Sequence, residues 1–274
     1  MMAYSEALSA RTVGISISDS PDLGALGMAA PHLQDAMAEL ARHLLALGAR
    51  VAYGGDLRAG GFTQILFELV SRHRRDADEG DERTSVVNYL AWPVHILQDF
   101  EALAEQHRDV RGLATLLLLD TEGDTMSFTA RQAAERETPS LEQWANGLTA
   151  MRRRMNYDTH ARIIAGGQIA NYKGSMPGLA EEALIAIEAR RPLYVMGGFG
   201  GCAGDIAFTL GLSDHSVGPA RDWEARGAFA GIGVERLANG LDESDNRTLA
   251  RTPHVDEAVA LILKGLLRLE GARD

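Results

Sequence analysis

Residues 162–201 read RIIAGGQIANYKGSMPGLAEEALIAIEARRPLYVMGGFGG, and this stretch decides the fold. Arg162 to Ala165 is a short β-branched run that ends in Gly166-Gly167, and Pro192 to Met196 is a second run that ends in Gly197-Gly198. Between them, Gly178 opens a helix with Glu181 and Glu182 in its first turns. A strand, a helix and a strand in this order make a parallel unit, because two parallel strands need a crossover to connect them.

The same alternation extends toward the N-terminus. Thr12 to Ser18 (TVGISIS) is a strand ending in Asp19, Ser20, Pro21 and Asp22. A helix from about Pro31 carries Leu33, Met37, Leu40, Leu44 and Leu47 at spacings of three and four, and Gly48 stops it. Arg50 to Tyr53 is a strand cut off by Gly54-Gly55-Asp56, and Phe62 to about His73 is the helix that follows. Arg74 to Arg83 reads as a charged surface connection. Ser85 to Trp92 reads as a strand, with a helix from Pro93 that carries Leu97, Phe100 and Leu103. Leu113 to Asp120 has the continuous apolar character of a central parallel strand. Ser127 to Arg154 is mostly helical with a break near Pro139, and Val255 to Leu269 is a closing amphipathic helix. With no hairpin signal, the expectation is one α/β domain over residues 1–274, Rossmann-like and doubly wound. It has a mainly parallel sheet with helices on both faces, and residues 1–10 form an N-terminal tail.

Composition narrows the function. The net charge of −11 argues against nucleic acid as a partner, since a duplex-binding surface carries a basic excess. Cys202 is the only cysteine, so no internal disulfide is possible, and no metal site is expected. No stretch approaches the length of a membrane span, and Met1 to Ala10 lacks the pattern of a signal peptide, so a cytoplasmic protein with no membrane partner is expected.

Three strands end in paired glycines: Gly54-Gly55, Gly166-Gly167 and Gly197-Gly198. In an open parallel sheet these turns share one edge, where backbone N–H groups and helix N-termini suit phosphate. The dinucleotide fingerprint and the Walker loop are both absent. Further ligand candidates are Ser18, Asp19 and Ser20 at the first strand end, Asp56, Lys173 in the loop from Gln168 to Pro177, Gly178, Phe199 and Gly200. Of the three adjacent arginines, Arg152, Arg153 and Arg154, at most two can converge on a ligand, and Arg162 is a further basic candidate.

Met151 and Arg154, then Gly166-Gly167, then Gly178 and Glu182 resemble the M-x-x-R … P-G-G-x-G-T-x-x-E pattern of the LOG-type nucleotide phosphoribohydrolases. That resemblance implies cleavage of an N-glycosidic bond, with Glu182 and Arg154 as the catalytic pair. Ala165 stands in place of the motif proline, Leu179 in place of the threonine, and about ten residues separate the glycine pair from Gly178, so the strict enzyme motif is broken. The chain is more similar to the wider SLOG superfamily, in particular the branch found beside TIR or purine-phosphorylase-like domains in bacterial defence systems. The resemblance runs from about residue 12 to 210 through AYGGDLRAGGFTQILFEL, YKGSMPGLAEEAL and PLYVMGGFGG. It implies a sensor that binds an NAD-derived nucleotide, such as ADP-ribose or a cyclic form, without a required cofactor. It also implies a separate effector chain and a homo-oligomer. The alternative is an N-glycosidase acting on a nucleotide or on NAD.

Overall fold

The computed structural model describes residues 6–55, 61–76, 85–214, 217 and 221–272. The chain opens with β1 (Thr12–Ser18), α1 (Ala30–Ala46), β2 (Arg50–Gly54), α2 (Phe62–Asp76), β3 (Val86–Leu90), α3 (Trp92–His95), α4 (Phe100–Asp109) and β4 (Ala114–Leu119). It continues with β5 (Thr125–Met126), α5 (Phe128–Ala133), α6 (Leu141–Asp158), β6 (Ala161–Gly166), α7 (Gly178–Glu188), β7 (Leu193–Met196), α8 (Gly201–Thr209), α9 (Glu243–Arg251) and α10 (Val255–Gly271).

The strands lie in the order β5-β4-β3-β2-β1-β6-β7, all parallel except β5. The chain winds outward from β1 to β5, then returns to place β6 on the other side of β1. Ligands in such sheets settle at the carboxyl edge, near this reversal. The expected doubly wound architecture is therefore present. Val13, Ile15 and Ile17 turn to one face and pack in a core with Leu33, Met37, Leu40 and Leu44 of α1 and Ile262 and Leu266 of α10. On the opposite face Ala52, Val87 and Tyr89 pack against Met151 and Met155 of α6, and Ile164 and Val195 pack with residues of α7 and α8. Alternation of side chains along each strand feeds both layers.

The structure corrects several expectations. The segment 113–120 is not central: β4 lies next to the sheet edge, and its outer partner is antiparallel β5. The turn between them was hidden in a polar run. Asp120 Oδ1 accepts from the N–H groups of Glu122 and Asp124, and Gly123 takes a φ of 89°. The strand expected to reach Trp92 stops at Leu90. The helix expected from Pro93 is two helices, the second capped by Asp99, which accepts from the Ala102 N–H at 3.1 Å. The helix α2 runs on to Asp76, into the expected loop, while residues 77–84 lie outside the described residues. Helix α9 was not read from the sequence. Leu8, in the stretch expected to be a tail, is fully buried, and its N–H donates to Leu47 O at 2.8 Å. No helix among the described residues is long and apolar enough to cross a membrane.

Candidate functional site

The central strands carry an unusual polar core. Arg162 is the second residue of β6, fully buried, and pairs in register with Gly14 of β1. A Cβ on Gly14 would come within 3.2 Å of the Arg162 guanidinium carbon, so the missing side chain is what lets the arginine lie across β1. There Arg162 Nη1 donates to Ser16 Oγ at 3.0 Å and to Glu182 Oε2 at 2.8 Å, and Ser16 Oγ donates to the same carboxylate oxygen. Burial pulls the Arg162 pKa down and the Glu182 carboxylate acts against that, as expected for an ion pair held out of water. Arg162 Nε and Nη2 have no hydrogen-bond partner among the described residues.

A second buried pair lies beside it. Arg152, on the flank of α6 that faces α7, pairs through Nη1 with Glu181 Oε2, and its Nε lies 3.7 Å from Glu182 Oε1. Thr149 Oγ1 donates to the other Glu181 oxygen. Two glycines make room for this guanidinium: a Cβ on Gly174 would lie 3.1 Å from Arg152 Nη1, and one on Gly178 2.7 Å from Nη2.

Arg152 also borders a cleft of about 580 Å³ at the carboxyl ends of β2 and β3. Its floor is Gly54 and Gly55, and a Cβ on Gly54 would sit 3.0 Å from the Met151 side chain. One wall is α6, which presents Trp144, Leu148, Met151 and Arg152, positions that share a helix face by their spacing of three and four. The other side has Tyr89, Ala91, Val94 and Gln98, with Lys173 at the mouth. Lys173 Nζ lies 3.7 Å from the centre of the Trp144 ring. The Tyr89 hydroxyl donates to Asp158 Oδ2 at 2.9 Å, and Arg154 Nε donates to the same oxygen at 2.8 Å. Burial and the Asp158 carboxylate raise the Tyr89 pKa far above its ordinary value, so this ring stays neutral.

A smaller cleft of about 240 Å³ lies at the end of β7, lined by Gly197, Gly198, Gly200, Asp22, Asp205 and Arg251 among others. It is three strand steps from β2, roughly 14 Å at the usual inter-strand spacing. Here the chain supplies its own anion. Asp22 Oδ2 accepts from the Gly201 N–H at 2.7 Å, at the positive end of α8, and Arg221 clamps the same carboxylate. Asp205 is buried and accepts from Trp223 Nε1 at 3.0 Å.

A buried arginine–glutamate core under a glycine-floored cleft at the sheet's carboxyl edge calls for comparison with known families. The family model described as SLOG cluster2 matches residues 7–232. The chain belongs to the SLOG cluster2 family. Membership implies a nucleotide-binding Rossmann-like domain. Among solved structures, the chain is similar to the X-ray structure of TM1055, a structural genomics target. The identity is 20%, the TM-score is 0.37, and 73% of this chain and 82% of that one are covered. No curated protein matches the chain.

In this SLOG cluster2 chain the residues singled out from sequence separate into distinct places. Gly54, Gly55 and Lys173 border the large cleft, whereas Gly197, Gly198 and Gly200 border the small one. Gly166 and Gly167 are buried, with φ of 65° and 99°; the Gly167 N–H donates to Ser18 O, and its missing Cβ leaves room for Leu179 and Cys202. The three glycine turns therefore do not surround one cavity. Phe199 is a core residue, and Gly178 packs on Arg152. Ser18 is half-buried, Asp19 is exposed, and Ser20 Oγ accepts from the Asp22 N–H, the turn-capping role. Glu182 is held by Arg162 and Ser16. Asp56 lies outside the described residues. It is Arg152 that borders the cleft, while Arg154 pairs with Asp158 one turn along α6.

Arg162, expected as a further basic candidate for the ligand, lies instead in the buried core and not on the cleft, and Trp144 was missed. A glycine in a strand, as at Gly14, was the available signal that a bulky neighbour crosses there. Cys202 is buried with its pKa raised by desolvation and by Asp205, which describes a thiol that stays protonated.

Proposed function

We propose that the chain binds an NAD-derived or other ribose-phosphate nucleotide, such as ADP-ribose or a cyclic form, in the cleft between β2, β3 and α6. In this reading it is a sensor domain of a bacterial defence or signalling system. One observation carries the choice of sensor over enzyme. The motif glutamate, Glu182, and its neighbour Glu181 are both engaged by buried arginines, and the described residues that line the cleft include no carboxylate. An N-glycosidase needs a carboxylate near the anomeric carbon, to stabilise the developing cation or to activate water. Arg152 offers positive charge to phosphates, and the tyrosine and tryptophan rings offer faces to base and ribose.

Calorimetry with ADP-ribose, cyclic ADP-ribose, NAD and AMP tests the reading, and binding of at least one is expected. Chromatography of the same mixtures at high protein concentration should return every nucleotide intact. Released base that disappears with Glu182→Gln would establish the glycosidase instead. A sensor must also pass its signal on. The expected recipients are a separate effector chain of TIR or phosphorylase type and a second copy of this chain. Sedimentation with and without the bound nucleotide reports the latter.

A further inference from the structure

The large cleft has a gradient from charged to aromatic along α6. Arg152 is buried at its inner end, Leu148 lies one turn closer to the mouth, and Trp144 one turn further still. Eight residues of helix separate Trp144 from Arg152, about 12 Å at 1.5 Å per residue. A nucleoside diphosphate spans this separation with its phosphates at one end and its base at the other, whereas a bare ribose phosphate does not reach.

Trp144 is only half-buried, and Lys173 Nζ sits over its ring at 3.7 Å. Lys173 itself is exposed. Its loop is seated on the inner end of the cleft through the next residue, since Gly174 packs on the Arg152 guanidinium. The other two tryptophans, Trp92 and Trp223, are buried at 7% and 6% exposure, so Trp144 is the indole among the three that a solute can reach.

We propose that the Trp144 indole is the stacking platform for the nucleobase, and that Lys173 is a displaceable cover on that platform. The inference rests on the nucleotide reading above and names the part of the ligand that gives it selectivity. An ammonium over a partly exposed indole is held weakly. A base stacked on the same ring is held more firmly, so the base displaces the lysine.

The test compares wild type, Trp144→Ala, Trp144→Phe and Lys173→Met by calorimetry with ADP-ribose and with ribose 5-phosphate. Trp144→Ala is expected to weaken ADP-ribose roughly tenfold or more, with Trp144→Phe recovering most of the loss. Ribose 5-phosphate should change by less than about twofold; no detectable binding to wild type has the same meaning, since the base then supplies the affinity. Lys173→Met should leave ADP-ribose binding as tight or tighter. ADP-ribose should also quench wild-type tryptophan emission, and the quench should vanish in Trp144→Ala.

Equal weakening of both ligands by Trp144→Ala, or no effect on ADP-ribose, overturns the platform while the nucleotide reading stands. Equal weakening of both ligands by Lys173→Met makes the lysine a phosphate contact and overturns its role as a cover. Failure of wild type to bind any nucleotide overturns both readings together. Thermal midpoints of the variants, expected near that of wild type because both side chains are partly or fully exposed, separate lost binding from lost folding.

Discussion

Arg162 concentrates the physics of the site in one side chain. It is a full charge at zero exposure in the middle of a parallel sheet, satisfied on one side by Glu182 and Ser16 and accommodated on the other by the bare backbone of Gly14. Removing one partner of a buried pair leaves the other charge uncompensated, a loss of about 3–5 kcal/mol. Arg162→Ala is therefore expected to lower the unfolding free energy by that order, measured by urea titration. The slot it leaves has the shape and charge complement of a guanidinium group. Ethylguanidinium at concentrations too low to denature should restore part of the loss, whereas ethylammonium should restore less because it lacks the planar fork. Equal rescue by both ions would mean that the slot is not specific for the fork. That Arg162 is a strand residue was legible from its β-branched neighbours. That it faces Gly14 was not, because register is a property of two distant segments and neither one encodes it alone.

Helix α6 does the positioning. Its start was legible only as a break near Pro139; the actual boundary is Ser140, whose Oγ accepts from the Gln143 N–H while the Gln143 side chain returns to the Ser140 N–H. Its stripe of Trp144, Leu148, Met151 and Met155 mixes an aromatic and sulfur-containing side chains, which by sequence is indistinguishable from ordinary core. The choice of Arg152 over Arg154 likewise depends on which flank meets α7, and that is set by packing. The pairing of α6 with α7 gives a prediction that separates affinity from stability. A methyl at Gly178 would meet the far end of the Arg152 side chain, a group that can move. Gly178→Ala should thus cost less stability than breaking the buried Arg152–Glu181 pair outright, provided the guanidinium shifts without leaving Glu181. It should nonetheless weaken ADP-ribose several-fold by displacing the guanidinium, read by calorimetry beside a melting curve. A variant that loses both in proportion would argue that Arg152 serves the fold alone.

At the scale of the whole molecule, stability should depend on acid through His95. It is fully buried behind the cleft wall, with Nε2 donating to Leu119 O at 2.7 Å, and burial lowers its pKa from the ordinary 6.5 to about 4. The folded state thus refuses a proton that the unfolded chain accepts below about pH 6.5. This contribution is intact above the unfolded value and is lost as pH falls toward the folded one. The loss between about pH 7.5 and about pH 5 is expected to be about 2 kcal/mol. Denaturation at the two pH values should show a smaller difference for His95→Gln, and an unchanged difference would assign the acid sensitivity to the carboxylates. The overall winding of the sheet was readable because most strands ended in glycine or a polar turn before a helix, and β3 ended ahead of Pro93. Antiparallel β5 was not, because two residues carry no periodicity. That same brevity has a consequence for assembly. β5 is two residues long and β7 four, so each flank of the sheet offers a visiting chain only a short ladder of backbone groups to pair with. Copies of this protein that associate should therefore do so by side-chain contact between helices, as discrete particles of fixed size, and concentrated solutions should resist growth into cross-β fibres.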